Sequence, residues 1–289
     1  MNIFICGLGL IGGSLAKAIS ARTPHTVVGY NRTKSVSEEA LHVGAIAKAG
    51  EPKDLADCDI VIMGLYPKAT IDFVKENLHY FKDGAILVDT CGIKTEVCEA
   101  LGALTKDTSV RFIGGHPMAG IERSGFAYTF PELFDGASMI LCPEYCSDES
   151  AVETVSALCR EIGFGRITIS TAEHHDKVIA FTSQLAHVVS SAYVHGEYAT
   201  QHKGFSAGSF RDLTRVARLN ADMWTELFYE NTENLSAVIG ELIENLQKYK
   251  TALDTNDREG MHKLLADGNE RKIQSENLGK DPAPCKPSM

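Results

Sequence analysis

The chain has 289 residues, 44% of them apolar, which suits one large or two moderate soluble cores and excludes a disordered or fibrous class. Its 38 acidic and 28 basic side chains give a formal charge of -10, and the Lys and Arg residues are scattered rather than striped, which argues against a nucleic-acid partner. No uncharged apolar stretch approaches the ~20 residues of a spanning helix, so no membrane partner is expected, and eight cysteines set mostly in apolar runs read as reduced thiols of a cytoplasmic protein.

The chain opens on a strand-like Asn2-Ile3-Phe4-Ile5-Cys6 with no basic, leader-like stretch. From there to about residue 170, short Val- and Ile-rich runs alternate with segments of helical period. Strands are predicted at 3–6, 26–30, 59–63, 85–89, 112–115, 138–142 and 166–170. Helices are predicted at 11–21, 70–78, 94–104 and 148–162. This is the pattern of an α/β protein with a doubly wound parallel sheet, the Rossmann arrangement. Past residue 170 the strands stop. One long helix is expected from Thr171 through Tyr198, and helical periods continue at 224–228, 235–246 and 261–274. We therefore expect a dinucleotide-binding Rossmann domain at 1–170, an all-helical domain at 171–278 and a flexible tail at 279–289.

Gly7-Leu8-Gly9-Leu10-Ile11-Gly12 follows the first strand and opens the first helix, the context in which G-x-G-x-x-G binds a dinucleotide. The first glycine allows the tight turn, the second the approach of the pyrophosphate, the third close packing of helix on strand. The end of the second strand reads Tyr30-Asn31-Arg32-Thr33-Lys34, without the acid that binds a ribose diol. Arg32 and Thr33 suit a 2'-phosphate and Asn31 a plain ribose, so the cofactor is NADP or NAD, with the balance toward NADP.

Four further segments carry chemistry: Asp89-Thr90-Cys91-Gly92-Ile93-Lys94, Gly114-Gly115-His116-Pro117, Ser183-Gln184-Leu185-Ala186-His187 and Phe210-Arg211-Asp212-Leu213-Thr214-Arg215. With the glycine fingerprint and in this order, they resemble the prephenate dehydrogenase family from Met1 to about Gln274. The resemblance implies NAD(P)-dependent oxidative decarboxylation of prephenate to 4-hydroxyphenylpyruvate, or of arogenate, in tyrosine biosynthesis, and a homodimer paired through the helical half.

By that resemblance His116 is the catalytic histidine that takes a hydrogen bond from the ring hydroxyl, and His187 a second one that contacts substrate. Arg215 binds a substrate carboxylate and Ser183 lines the pocket. Arg211, four residues before Arg215, shares its face if the segment is helical, with an ion pair to Asp212 or Glu226 as the plainer alternative. Gly92 stands where the family commonly has a serine that positions substrate or the histidine. Lys94, Thr95, Ser124 or a water are the candidates to replace that hydroxyl. The pair His174-His175 lacks metal-ligand spacing and is expected only to cap a helix or meet solvent, and no metal is expected at Cys142 and Cys146 either. Competing readings are a β-hydroxyacid dehydrogenase-like reductase and a non-catalytic NADP sensor.

Overall fold

A computed structural model describes residues 1–278; the tail expected at 279–289 lies outside them. In chain order β1 (Asn2–Cys6), α1 (Leu10–Arg22), β2 (Thr26–Tyr30), α2 (Lys34–His42), β3 (Lys48–Ala49), β4 (Ile60–Met63), α3 (Pro67–Asn77), β5 (Ile86–Asp89), α4 (Thr95–Thr105), β6 (Arg111–Pro117), β7 (Ser138–Cys142), α5 (Glu149–Glu161) and β8 (Arg166–Ile169) build one eight-stranded sheet with helices. The helical remainder is α6 (Ala172–Ile179), a π turn at Ala180–Gln184, α7 (Leu185–Val194), α8 (Gly208–Thr214), α9 (Ala221–Tyr229), α10 (Thr232–Asp254) and α11 (Arg258–Glu276).

Strand order is β3-β2-β1-β4-β5-β6-β7-β8. Alternation sorts the strands' side chains between two cores. Ile3, Ile5, Ile60, Ile62, Ile86 and Val88 pack with Leu15, Ile19 and Leu158 on one face. Phe4, Cys6, Val61, Met63 and Leu87 pack with Val74, Val97 and Leu101 on the other. Both faces are covered, as a parallel sheet requires.

Pairing is parallel from β3 through β6, then antiparallel between β6 and β7, with β8 again parallel to β7. The fold class stands, but its last two strands run opposite to the expected direction. A parallel neighbour needs a crossover, usually a helix. The segment after β6 instead holds only single 3-10 turns at Phe126–Tyr128 and Pro131–Phe134. That segment is tied to α1, where Lys17 Nζ donates to the Thr129 carbonyl at 2.8 Å and the Phe130 amide donates to Ser14 Oγ at 3.2 Å.

The long helix expected over 171–198 runs from Ala172 to Val194 with a π turn inside it at Ala180–Gln184, where the buried Gln184 amide donates to the Leu227 carbonyl at 2.8 Å. Two compact units emerge, Met1–Leu235 and the part from Ser236 on. In the second unit the rest of α10 turns at Asn256, in the left-handed region at φ 53°, into α11, which is capped by Asp257. None of the described helices is long and apolar enough to cross a membrane.

Candidate active site

Strand order reverses between β1 and β4, the crevice where open α/β sheets bind nucleotides. Gly7 follows β1 at φ 90°, and a Cβ on Gly12 would lie 1.9 Å from the Gly7 carbonyl oxygen, so the turn and the helix behind it accept no side chain there. At Gly9 a Cβ would meet open space. Gly9 is the N-cap of α1 and no side chain caps that end, so the amides of Leu10 and Ile11 stand free at the positive end of the helix dipole. These residues fit a dinucleotide pyrophosphate.

The Leu8 amide donates to Asn31 Oδ1 at 3.1 Å and its side chain is buried, so it orients Asn31. Asn31 Nδ2 donates to the Thr33 carbonyl at 3.2 Å, while Arg32 and Thr33 are exposed at the mouth of β2. Gly64, after β4, is a further part of this crevice that sequence reasoning missed. A Cβ there would come within 2.7 Å of the Gly7 carbonyl oxygen, and its place after the apolar run Ile60-Val61-Ile62-Met63 was the available signal.

His116 lies near the carboxyl end of β6, held through Asp89 at the end of β5. The fully buried Asp89 carboxylate accepts from the amides of Gly115 at 3.0 Å and Cys91 at 2.9 Å and pairs with the Lys94 ammonium. Lys94 is therefore not available to a substrate: its side chain is fully buried in that ion pair. On one side of the His116 ring, Nδ1 lies 2.8 Å from His175 Nε2. On the other, Nε2 faces Gly92, whose added Cβ would stand 4.0 Å away. Burial above all, with the Lys94 charge adding to it, holds the His116 pKa well below the ordinary imidazole value, so the ring is neutral at neutral pH.

His175 corrects the expectation of a capping or solvent-facing residue. Thr171 caps α6 through the His174 amide, whereas the His175 ring is fully buried, with Nδ1 2.7 Å from Asp176 Oδ1. Asp176 also accepts from the amides of Lys94 and Thr95, each at 2.8 Å. Burial opposes the Asp176 charge, but the bonds from His175 and Thr95 more than offset it and keep the carboxyl ionised. The signal was present, since Ala172, His175, Asp176 and Ile179 are the buried positions of α6 and follow helical period.

Arg215 is two-thirds exposed, and its Nη1 pairs at 2.9 Å with Glu122 in the loop that follows His116. His187 Nδ1 lies 3.3 Å from the Val216 carbonyl, and its ring sits on Trp224 with centroids 3.9 Å apart. Trp224 and Leu227 are three apart on α9, and Leu227 Cδ2 would lie 3.7 Å from a Cβ on Gly92. One face of α9 thus links the His187 and Arg215 end to the His116 end. Ser183 is half-buried in the π turn. Arg211 does not join them: its side chain is 81% exposed and its Nε lies 3.5 Å from Asp212, the plainer alternative. Ser124 is exposed in the loop beyond Glu122.

The nucleotide-binding domain of prephenate dehydrogenase matches residues 15–168, and the dimerization domain of prephenate dehydrogenase matches residues 171–267. The chain belongs to the prephenate dehydrogenase family. It is 32% identical over 265 residues to the cyclohexadienyl dehydrogenase of Zymomonas mobilis, covering 89% of each chain. It is 33% identical over 255 residues to the prephenate dehydrogenase of Lactococcus lactis, covering 86% of this chain and 69% of that one. The solved arogenate dehydrogenase of Synechocystis aligns with a TM-score of 0.83 at 25% identity, over 95% of this chain and 100% of that one. As a member of the family the chain is an NAD(P)-dependent dehydrogenase that acts by oxidative decarboxylation. A 3-hydroxyisobutyrate dehydrogenase from Mycobacterium tuberculosis shares the fold only, with a TM-score of 0.53 at 17% identity.

Proposed function

We propose that this dehydrogenase converts prephenate to 4-hydroxyphenylpyruvate and carbon dioxide, with His116 as the base at the ring hydroxyl. The observation that carries this is the two-sided setting of the His116 ring, with Nδ1 engaged by His175 and Nε2 facing the space at Gly92. An oxidised nicotinamide dinucleotide held at the Gly7–Gly12 turn would supply the acceptor for the hydride of the ring carbon that bears the hydroxyl. His116 Nε2 accepts the hydroxyl proton as that occurs, help worth ~10² to 10⁴ in rate. Arg215 leaves Glu122 to hold a substrate carboxylate, and His187 and Ser183 line the pocket beside it. Loss of the ring carboxylate and aromatisation make the step irreversible.

Arogenate is the second reading, and Glu122 favours it. Arogenate carries an ammonium where prephenate has a side-chain carbonyl, and the Glu122 carboxylate beside Arg215 is placed to meet such a group. For the cofactor we favour NADP, because Arg32 and Thr33 are exposed at the end of β2 and no acid stands beside Asn31 to repel a 2'-phosphate. A homodimer is supported by the match of 171–267 to a dimerization domain and by exposed apolar residues Ile243, Leu246, Leu253 and Leu265 on α10 and α11. A cytoplasmic setting accords with seven free cysteines among the described residues, six of them buried.

Initial rates of cofactor reduction with prephenate and with arogenate, each with NAD and NADP, test the reading. Turnover of prephenate is the expected result. Turnover of arogenate alone selects the second reading, and turnover of neither overturns both.

A further inference from the structure

In the chain Asp176–His175–His116 the first two side chains are buried and His116 is partly buried, and the hydrogen bonds favour one pattern of protons. The Asp176 carboxylate is ionised and can only accept, so the proton between it and His175 sits on His175 Nδ1. A neutral His175 then offers only a lone pair at Nε2, and His116 Nδ1, 2.8 Å away, must donate to it. That leaves His116 Nε2 bare and facing Gly92. The opposite pattern needs a second proton on His175 and leaves the His116 proton on Nε2, where the ring could not accept from a substrate.

We propose that His175, held by Asp176, is a positioning residue that fixes His116 in the tautomer with its proton on Nδ1 and its lone pair on Nε2, and that it shares the positive charge when Nε2 takes up the substrate proton. This rests on His116 being the base.

The bonding sequence needs no outlet for the proton. The substrate O–H bond breaks, Nε2–H forms, and the O–H electron pair becomes the second bond of a ring carbonyl as the C–H pair leaves to the nicotinamide. When the ring carboxylate departs as carbon dioxide, the electrons of the broken C–C bond pass through the ring to that oxygen, which takes the proton back from Nε2. The proton is borrowed and returned, so no outlet to solvent is required. His175 is fully buried, Asp176 nearly so, and the two imidazoles meet edge to face at 65° with centroids 5.0 Å apart.

The test is imidazole nitrogen NMR on the full chain with labelled histidine, the His116 signals being assigned by their loss in His116→Asn. The wild-type protein is expected to show His116 protonated on Nδ1 and bare on Nε2, with neutral His175 protonated on Nδ1. His175→Leu removes the acceptor, so the His116 tautomer should redistribute and kcat should fall about 10- to 100-fold, part of the contribution of a general base, with KM nearly unchanged. His175→Gln restores an acceptor carbonyl and should recover most of both. A proton on Nε2 of His116 in the wild-type protein overturns the proposal whether or not the variants fold. An unchanged tautomer and unchanged kcat in a folded His175→Leu also overturn it. Failure of the base assignment shows elsewhere, as retained turnover in His116→Asn.

Discussion

The Nε2 of His116 lies 4.0 Å from the point where a Cβ on Gly92 would stand, with Leu227 Cδ2 at 3.7 Å from the same point. Both are ordinary contacts, and Gly92 is not among the glycines with positive φ. A serine therefore fits without displacing its neighbours, and its hydroxyl would reach the region of Nε2 proposed to receive the substrate hydroxyl. Gly92→Ser is expected to shift stability by less than about 0.5–1 kcal/mol. Its added hydrogen bond, worth about 0.5–1.5 kcal/mol, should raise kcat/KM by up to about tenfold. Thermal unfolding and steady-state kinetics measure both. A fall in kcat/KM would show that substrate itself fills the space left by the missing side chain.

His116→Asn should lower kcat by roughly 10² to 10⁴, the range for loss of a general base, while the dissociation constant of the dinucleotide stays close to that of the wild-type protein. The cofactor crevice at Gly7, Gly9 and Gly64 is built from β1 and β4 and does not use the His116 side chain. The pH profile carries a second expectation. The base must be neutral, and burial with the Lys94 charge lowers its pKa, so the acid limb of kcat/KM belongs below the ordinary value of 6.5. A limb above 6.5 that disappears in the variant would show that the imidazole is not held in this setting when substrate arrives.

Arg215 and Glu122 make a paired prediction. Arg215→Ala removes a charge-assisted bond to a carboxylate, worth about 1.5–3 kcal/mol, and should raise KM by about 10- to 100-fold with a smaller change in kcat. Glu122→Gln frees the guanidinium from its 2.9 Å partner and should lower KM for prephenate. If arogenate is the substrate, the same change should raise KM, because the carboxylate facing the ammonium is gone. Opposite shifts with the two substrates would locate Glu122 at the side-chain end of the pocket.

The sheet and its crevice were legible because their signals are local. Alternating buried runs such as Ile60-Val61-Ile62-Met63, and glycines at fixed offsets from β1, record the fold residue by residue. What escaped depends on distant partners. Lys94 reads as a reachable cation until Asp89 is seen to bury it, and Arg211 reads as a partner of Arg215 until α8 leaves it in solvent. The reversal of β7 lies in a connection that has no helix to signal a crossover. The role of His175 depends on His116, 59 positions earlier, and adjacency to His174 drew attention away from its helical period with Ala172 and Ile179.

Glu230, at the carboxyl end of α9, offers a test that needs no substrate. Burial first, then the charges of Glu226, Glu96 and Asp176, push its pKa up to about 7, with Lys94 opposing. The folded state thus holds the proton more tightly than the unfolded chain, whose carboxyl titrates near 4.5. Stability from this group is complete below that unfolded value and is lost as pH rises toward and through 7. Glu230→Gln is neutral at every pH. It should leave the melting temperature unchanged near pH 3, where the wild-type carboxyl is neutral both folded and unfolded, and raise it at pH 8 by a few degrees, on the order of 2–4 °C. Solvent screening at this half-buried position keeps the effect modest. Unfolding scans of both proteins across that range decide it, and equal melting temperatures at pH 8 would mean that Glu230 does not feel the acidic groups around it.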